Sequence, residues 1–294
     1  MSGASLIQLV VSGISIGAVY GLVGLGFVTI YRASGVVNFA QGEFVMLGAM
    51  MGFNLWKKVG INYPLSCLIA VVAVSIVGLL IYQLIVVPLR GAPPVMIIMG
   101  TIGVSVLLQN VALNLWTSYP VFGPSFSGNT PIRIGSVAIE SQNLWILGMA
   151  IAVVAGLYLL NNKTRVGKAM TATATEPMAA GLVGVRTGSM IRLAFVIAAA
   201  IGALAGIFVS PVLPVSFLVG STLTLKGFVA SVLGGWGKPS GALVGGIALG
   251  VVETVTGGYV QAGYKDAVAF VLLLVVLSFR PGGLLGSSLT EAEA

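Results

Sequence analysis

Long apolar runs separated by short polar stretches follow one another along nearly the whole chain. They lie at about 5–31, 42–56, 65–87, 96–115, 143–160, 190–209, 216–235, 241–257 and 266–279. A helix that crosses the roughly 30 Å hydrocarbon core of a bilayer needs about 20 such residues. The pattern therefore predicts an all-α polytopic membrane protein with eight or nine transmembrane helices.

Two of these runs depart from a simple span. The run 42–56 is short and opens with Glu43, while 216–235 contains Lys226 and ends in two glycines. Irregular backbone at membrane depth is tolerated only where protein covers it. Both runs are therefore candidates for short, broken or re-entrant helices.

Composition agrees with a membrane protein. Of the 294 residues, 57% are hydrophobic and only 7% are charged, whereas a soluble domain carries about 25% charged residues. We predict one transmembrane domain over residues 1–286, followed by a C-terminal tail at 287–294. Residues 1–4 contain no basic stretch and no small-residue cleavage site follows, so no removable signal peptide is predicted.

The basic residues predict an orientation. The chain has 14 Lys and Arg against 7 Asp and Glu, an excess that in a membrane protein reflects topology and anionic lipid rather than nucleic acid. The longest basic loop, 161–189, is therefore expected in the cytoplasm, which leaves the loop 117–142 outside as a candidate surface for a soluble partner. With nine crossings, the inside residues are Arg32, Arg90, Lys163, Arg165, Lys168, Arg186, Arg192, Lys238 and Arg280, and the outside ones are Lys57, Lys58, Arg133 and Lys265.

Several kinds of chemistry are excluded by what the chain lacks. Cys67 is the only cysteine and histidine is absent, which excludes disulfides, Cys/His zinc sites and imidazole acid–base chemistry. We also expect no other metal site and no cofactor. Ser125 has no histidine to activate it as a nucleophile. Gly-Lys pairs occur at 167–168 and 237–238, but neither belongs to an ATP-binding P-loop. The chain is therefore not expected to be an enzyme.

The centre of the basic loop has the pattern of a short helix. It reads Thr175-Glu176-Pro177-Met178-Ala179-Ala180-Gly181-Leu182-Val183-Gly184. Proline suits the first turn, the threonine or glutamate can cap the helix, and either glycine can end it. Its apolar face would consist of Met178, Ala179, Leu182 and Val183. Such a helix either docks in a groove of a partner or lies on lipid headgroups, and the residues alone leave both open.

Polar residues within the apolar runs are the other candidates for function. Asn38, Gln41 and Glu43 precede or open the second run, and buried polar groups in a membrane mark either a pathway or a structural cluster. Asn38 and Gln41 are expected to share a helix face, with Glu43 pointing elsewhere. Lys226 is expected to pair with a carboxylate, and Glu253 completes the set of candidate pathway residues.

Glycines in the segment 225–255 predict close helix packing. Ala242, Gly246 and Gly250 are spaced by four, with Gly241 and Gly245 beside them. Such a ridge lets another helix approach closely in a membrane. Packing is the main expectation, and lining of a path is the alternative.

Taken together, several motifs make the chain resemble the permease subunits of branched-chain amino acid ABC importers, of the H type. They are VNFAQGEF at 37–44, GKAM at 167–170, EPMAAGLVG at 176–184, LKGF at 225–228, LGGWG at 233–237 and RPGGLLG at 280–286. The resemblance covers essentially the whole chain. Two positions depart from it, because Gln41 stands where many members have His and Thr171 where many have Arg.

The resemblance implies a set of partners and a mechanism. It implies a second permease subunit of similar fold, two ATP-binding subunits on the cytoplasmic side and an external solute-binding protein, all at a bacterial inner membrane. Segment 175–184 then corresponds to the coupling helix that docks in an ATPase. The implied substrates are leucine, isoleucine and valine, or else other amino acids, amides or urea.

Two other classes of function remain as rivals. A self-sufficient secondary transporter or channel is motivated by Glu43, Glu253 and Asp266, which are acidic residues near membrane depth that are suited to proton relay. A lipid-modifying enzyme has less support, because the chain has no histidine, no cysteine pair and no clustered carboxylates.

Overall fold

The computed structural model describes residues 3–128, 131–134, 137–259 and 265–285, and these form a bundle of α-helices. In chain order the helices are α1 (Gly3–Ser34), α2 (Gln41–Lys57), α3 (Tyr63–Ile81, continued by a π-helical turn, Tyr82–Val86), α4 (Pro94–Leu115), α5 (Ser141–Lys163), α6 (Arg165–Thr175), α7 (Pro177–Leu182), α8 (Thr187–Val209), α9 (Val219–Gly234), α10 (Pro239–Tyr259) and α11 (Lys265–Phe279). A small antiparallel hairpin, β1 (Ile132–Ile134) and β2 (Val137–Ile139), precedes α5. The predicted tail 287–294 lies outside the described residues.

Each of the nine apolar runs is occupied by a helix, so the prediction of an α-helical polytopic membrane protein is confirmed. Within the described residues, six helices are long and apolar enough to span a bilayer, namely α1, α3, α4, α5, α8 and α10. The other three are shorter, with 17 residues in α2, 16 in α9 and 15 in α11. The two runs that the sequence marked as irregular are among these three.

Glycines bring α1 and α10 into backbone contact. A Cβ added to Gly17 would lie 2.7 Å from the Cα of Ile247, and one added to Gly250 would meet the backbone of Gly17. Gly246 approaches Gly21 in the same way. The predicted glycine ridge of α10 is therefore a packing surface, and its counterpart is a second row of glycines on α1.

The other face of α10 holds α9. A Cβ on Gly245 would lie 2.6 Å from the backbone nitrogen of Gly234, and one on Gly227 of α9 would lie 3.2 Å from the backbone nitrogen of Gly24 in α1. Because three helices meet through glycines, α1, α9 and α10 form a tightly packed unit. It follows that the side chains of this unit have fixed positions relative to one another.

Two short helices extend from the bundle between α5 and α8. Thr164 caps α6 by accepting a hydrogen bond from the backbone amide of Gly167 at 3.0 Å. Met170 of α6 is buried with Ala33 of α1 and Ala194 of α8. The sequence predicted the helix at 175–184 but not α6, which joins that helix to the spanning helices.

Candidate functional site

The polar segment before α2 lies inside the helical layer. Helix α1 ends at Ser34, and Gly35, with φ +68°, turns the chain so that residues 36–40 run back without helical structure. A Cβ on Gly26 of α1 would overlap the side-chain amide of Gln41. Since Gly26 precedes the end of α1 by eight residues, α2 begins about 12 Å into the layer.

Side chains satisfy the backbone of this irregular segment. The amide of Phe39 donates to Thr101 Oγ1 at 3.1 Å, that of Ala40 to Asn38 Oδ1 at 3.1 Å, and that of Gly42 to Thr224 Oγ1 at 3.0 Å. The prediction that Asn38 and Gln41 share one face of a helix is wrong. Asn38 lies before the helix and bonds the backbone two residues on, which favours a turn over a helix.

Gln41 and Glu43 are both fully buried in the first turn of α2. Gln41 Nε2 donates to the carbonyl of Ala198 at 3.1 Å. Glu43 Oε1 accepts hydrogen bonds from Ser105 Oγ and Gln109 Nε2, each at 2.8 Å. These two side chains therefore link α2 to α8 and α4.

Three polar atoms in this segment lack a hydrogen-bond partner among the described residues. They are Asn38 Nδ2, Gln41 Oε1 and Glu43 Oε2, and all three side chains are fully buried. An unsatisfied buried polar atom costs about 1–3 kcal/mol. Their concentration in the six residues 38–43 makes this segment a candidate functional site.

The first turns of α2 and α9 meet beside Glu43. Glu43 Oε2 lies against Gly220, and Thr224 Oγ1 accepts from the backbone of Gly42. The N-termini of two helices thus converge near a buried carboxyl group. Both helices are among the three short ones.

Helix α4 supplies polar partners that the sequence analysis missed. Thr101, Ser105 and Gln109 repeat at intervals of four and therefore lie on one face. All three contact the segment 39–43 through the hydrogen bonds described above. The signal was present as a regular polar stripe within the apolar run 96–115, and a search for helical periodicity would have found it.

A second buried polar cluster joins α1, α9 and α10. Lys226 Nζ lies 2.7 Å from Glu253 Oε1, and the hydroxyl of Tyr20 lies 3.4 Å from each of these atoms. The prediction that Lys226 pairs with a carboxylate is confirmed, with Glu253 as the partner. The side chain of Asp266, which the sequence also suggested as a membrane charge, lies outside the described residues.

Helix α9 carries contacts to both polar clusters. Gly220 and Thr224 face α2, whereas Lys226 faces α1 and α10. Lys226 also borders a cavity of about 220 Å³ that is lined by side chains of α9 and α11, including Leu225 and Phe270. Of the five candidate pathway residues, the structure thus places three in one cluster and two in the other.

Aromatic rings bring separate sequence motifs together. Phe39 packs against Phe27 and Phe228 with ring centroids 6.2 and 5.8 Å apart, and Phe228 packs against Trp236 at 5.3 Å. Farther along, the amide of Leu284 donates to the carbonyl of Leu233 at 2.7 Å. Four of the motifs that carry the resemblance are therefore in contact in the fold, namely those at 37–44, 225–228, 233–237 and 280–286.

The candidate coupling segment forms α7. Glu176 occupies the N-cap position without a capping side-chain hydrogen bond, and Pro177 begins the helix. Thr175 does not belong to α7 but is the last residue of α6, where its hydroxyl donates to the carbonyl of Thr171 at 3.1 Å. Gly184, with φ +88°, follows the helix and turns the chain toward α8.

Helix α7 exposes most of its apolar side chains. Met178 and Leu182 are 78% and 86% exposed, Ala179 is exposed beside them, and Val183, just after the helix, is 81% exposed. Ala180 is buried and faces the bundle. Gly181 has open space where a Cβ would lie. A small apolar patch at the edge of the chain is therefore available to another surface.

The fold is that of a multi-pass membrane protein, with buried polar groups among its spans and a short apolar helix at its edge. Residues 9–277 match the family described as the branched-chain amino acid transport system / permease component. The chain belongs to this family, and it is a transport component rather than an enzyme.

Curated relatives cover nearly the same length. The chain is 33% identical to the high-affinity branched-chain amino acid transport system permease protein BraD of Pseudomonas aeruginosa, over 95% of both chains. It is 31% identical to the corresponding permease protein LivH of Salmonella typhimurium, again over 95% of both. PsaBC from Streptococcus pneumoniae, solved in complex with Fab, has a similar fold, with a TM-score of 0.52 at 12% identity over 92% of this chain and 90% of that one.

Proposed function

We propose that the chain is the permease subunit of an ATP-driven ABC importer for branched-chain or related amino acids, and that it forms half of the translocation path. Its near full-length similarity to two high-affinity branched-chain amino acid permeases supports this substrate class. The observation that carries the coupling role is the exposed apolar face of α7, made by Met178 and Leu182 with Val183 just after the helix.

The proposed location is the inner membrane of a bacterial cell. The chain crosses this membrane nine times, with its N-terminus outside and the loop 161–189 in the cytoplasm. Nine of the basic residues then face the cytoplasm. In this scheme the C-terminal end of α4 faces outside. The short helix α2 reaches the same surface, because Nζ of Lys58, just after α2, donates to the carbonyl of Trp116, just after α4. The loop 117–142 would then face the external solute-binding protein.

In the proposed mechanism, α7 docks in one of two ATP-binding subunits. The corresponding helix of a second permease subunit of similar fold docks in the other. The segment 175–184 thus forms the coupling site, with Glu176 fixing its register. Movement of α7 reaches the spanning helices through α6, because Met170 packs between Ala33 and Ala194. ATP binding shifts the population toward an outward-open state because the ATPases hold α7 differently in the two states.

We propose that the path passes the two buried polar clusters. Asn38, Gln41 and Glu43 contribute unsatisfied polar atoms, and Lys226 and Glu253 contribute a charged pair. In transporters, short helices whose termini meet within the membrane commonly flank such sites. The meeting of α2 and α9 at Glu43 supports this role.

The test is purification of the chain from its native membrane, followed by reconstitution. We expect ATP-binding subunits to co-purify, and we expect uptake of labelled leucine into proteoliposomes to require ATP and the binding protein. The ligand retained by the binding protein would identify the substrate. If the chain purified alone and transported solute on an ion gradient without ATP, the importer assignment would be wrong and the secondary-transporter alternative would replace it.

A further inference from the structure

One face of α3 carries a continuous row of large aliphatic side chains. Its members are spaced by three or four residues and are between 44% and 68% exposed. They are Leu65, Leu68, Val72, Ile76, Leu80 and Leu84. Surfaces where membrane helices pack on each other are rich in small residues, and this row contains none. The row is therefore suited to contact lipid acyl chains.

The row ends at a π-helical turn that is joined to the start of α8. Tyr82, the first residue of this turn, donates through its hydroxyl to the carbonyl of Gly188 at 2.9 Å. The guanidinium of Arg90 in turn donates to the Tyr82 hydroxyl. Single π-helical turns are frequent at functional sites. Val87, three residues after Leu84 and 39% exposed, lines a depression beside the start of α8.

Two arginines line an open depression at this junction, and a third lies at its edge. Arg186 and Arg192 line it together with Gln83 and Ser189, and its volume is about 500 Å³. The guanidinium of Arg90 lies beside Gly188 at its edge, 3.1 Å from the position of a Cβ at that glycine. The depression therefore presents several guanidinium donors to one small volume.

The charge of these arginines is not balanced nearby. No carboxylate of the described ranges lines the depression. The only salt bridge within those described ranges joins Lys226 to Glu253, so none involves these arginines. Guanidinium groups form strong bidentate hydrogen bonds with phosphate oxygens, and they bind phosphate better than ammonium groups do. An anion with phosphate geometry would satisfy the cluster.

We propose that this depression binds the phosphodiester headgroup of an anionic phospholipid, with phosphatidylglycerol as the fitting class. The headgroup lies on Arg90, Arg186 and Arg192, while Gln83 and Ser189 offer polar partners for glycerol hydroxyls. The acyl chains lie along the aliphatic row of α3. Basic pockets beside spanning helices bind such lipids in other membrane proteins. Val87 follows the aliphatic row and lines the depression together with Arg186 and Arg192, which favours a lipid over a soluble anion or a protein partner.

The test uses the full-length chain in mild detergent, delipidated and then titrated with phospholipid under native mass spectrometry. The variant is the exposed pair R186Q/R192Q. The matched control, K163Q/R165Q, removes two exposed charges on the same side of the bundle, away from the depression. Phosphatidylcholine tests the headgroup charge, and inorganic phosphate added as a competitor tests whether a lipid is needed.

We expect one phosphatidylglycerol to bind with at least about tenfold higher affinity than phosphatidylcholine. R186Q/R192Q should lose about tenfold in that affinity, K163Q/R165Q should keep it, and equimolar phosphate should not displace the lipid. Equal binding by the two variants, or displacement of the lipid by phosphate, would overturn the proposal. Loss of co-purifying ATPase from R186Q/R192Q with unchanged lipid binding would also overturn it, by assigning the arginines to a protein interface. The lipid titration measures no transport and needs no ATPase, so its result is independent of the proposed import function.

Discussion

Lys226 of α9 and Glu253 of α10 form a salt bridge of 2.7 Å, with side chains only 12% and 7% exposed. The hydroxyl of Tyr20 completes the contact from α1. The pair thus joins the three helices that pack through glycines. A buried charge without its partner is costly, and this gives the pair a measurable effect on stability.

The first prediction concerns this pair. Lys226→Met or Glu253→Gln alone should destabilise the protein by about 3–5 kcal/mol, because each leaves a buried group without its partner. The double variant should be less destabilised than the sum of the two. The measurement is thermal unfolding in detergent, followed with a thiol-reactive dye, since Cys67 is the only cysteine. Lys163→Met, at an exposed position, is the control, and a wild-type melting temperature for Glu253→Gln would contradict the prediction.

The second prediction concerns the contact between α1 and α10. Gly246→Ala should lower the melting temperature, with a cost of about 1–3 kcal/mol, because the new Cβ would lie 2.6 Å from the carbonyl oxygen of Gly17. Gly148→Ala in α5 is the matched control, since nothing lies within 4 Å of a Cβ there. Helix propensity favours alanine at both positions by about 0.5–1 kcal/mol. Opposite signs for the two variants would therefore isolate the packing effect, and equal signs would argue against it.

Local pattern was sufficient to predict the spanning helices and α7, but not α6. Each span is encoded by its own apolar run, and α7 by Pro177 at its start and Gly184 after its end. The segment Arg165–Thr175 is rich in Thr and Ala and has neither a proline at its start nor a glycine after its end. It is helical because Thr164 caps it and because Met170 is buried against other helices. The burial of Met170 exists only in the folded protein.

The polar stripe of α4 can be read from the sequence, but which buried groups its residues contact cannot. Glu43 bonds to Ser105 and Gln109, which follow it by 62 and 66 residues. Lys226 had more than one candidate carboxylate, and the packing of α9 on α10 selects Glu253. The polar residues themselves were identifiable because charge and amide groups are rare in apolar runs. Their distribution over two clusters depends on how the helices cross.

The third prediction concerns Gln41 and the glycine beneath it. Gly26→Ala should be destabilising by about 1–3 kcal/mol, because the added Cβ would lie 2.6 Å from Cδ of Gln41. Gln41→Ala removes that overlap but also the hydrogen bond to Ala198. In the Gln41→Ala background, Gly26→Ala should therefore cost much less, which a double-mutant cycle of melting temperatures would measure. Additive effects would mean that the two residues are not in contact.

The fourth prediction concerns α7 and tests the coupling role directly. Gly181→Trp should abolish ATP-dependent uptake while leaving membrane insertion and the melting temperature unchanged, because a side chain at Gly181 enters open space rather than the bundle. Glu176→Lys should act in the same way by reversing the charge at the start of the helix. Gly148→Trp is the control, since it adds the same bulk at another open position. Uptake and ATP hydrolysis are measured together in proteoliposomes, where continued hydrolysis without uptake is the expected sign of uncoupling. Normal uptake by both α7 variants would show that this helix does not transmit the ATPase cycle.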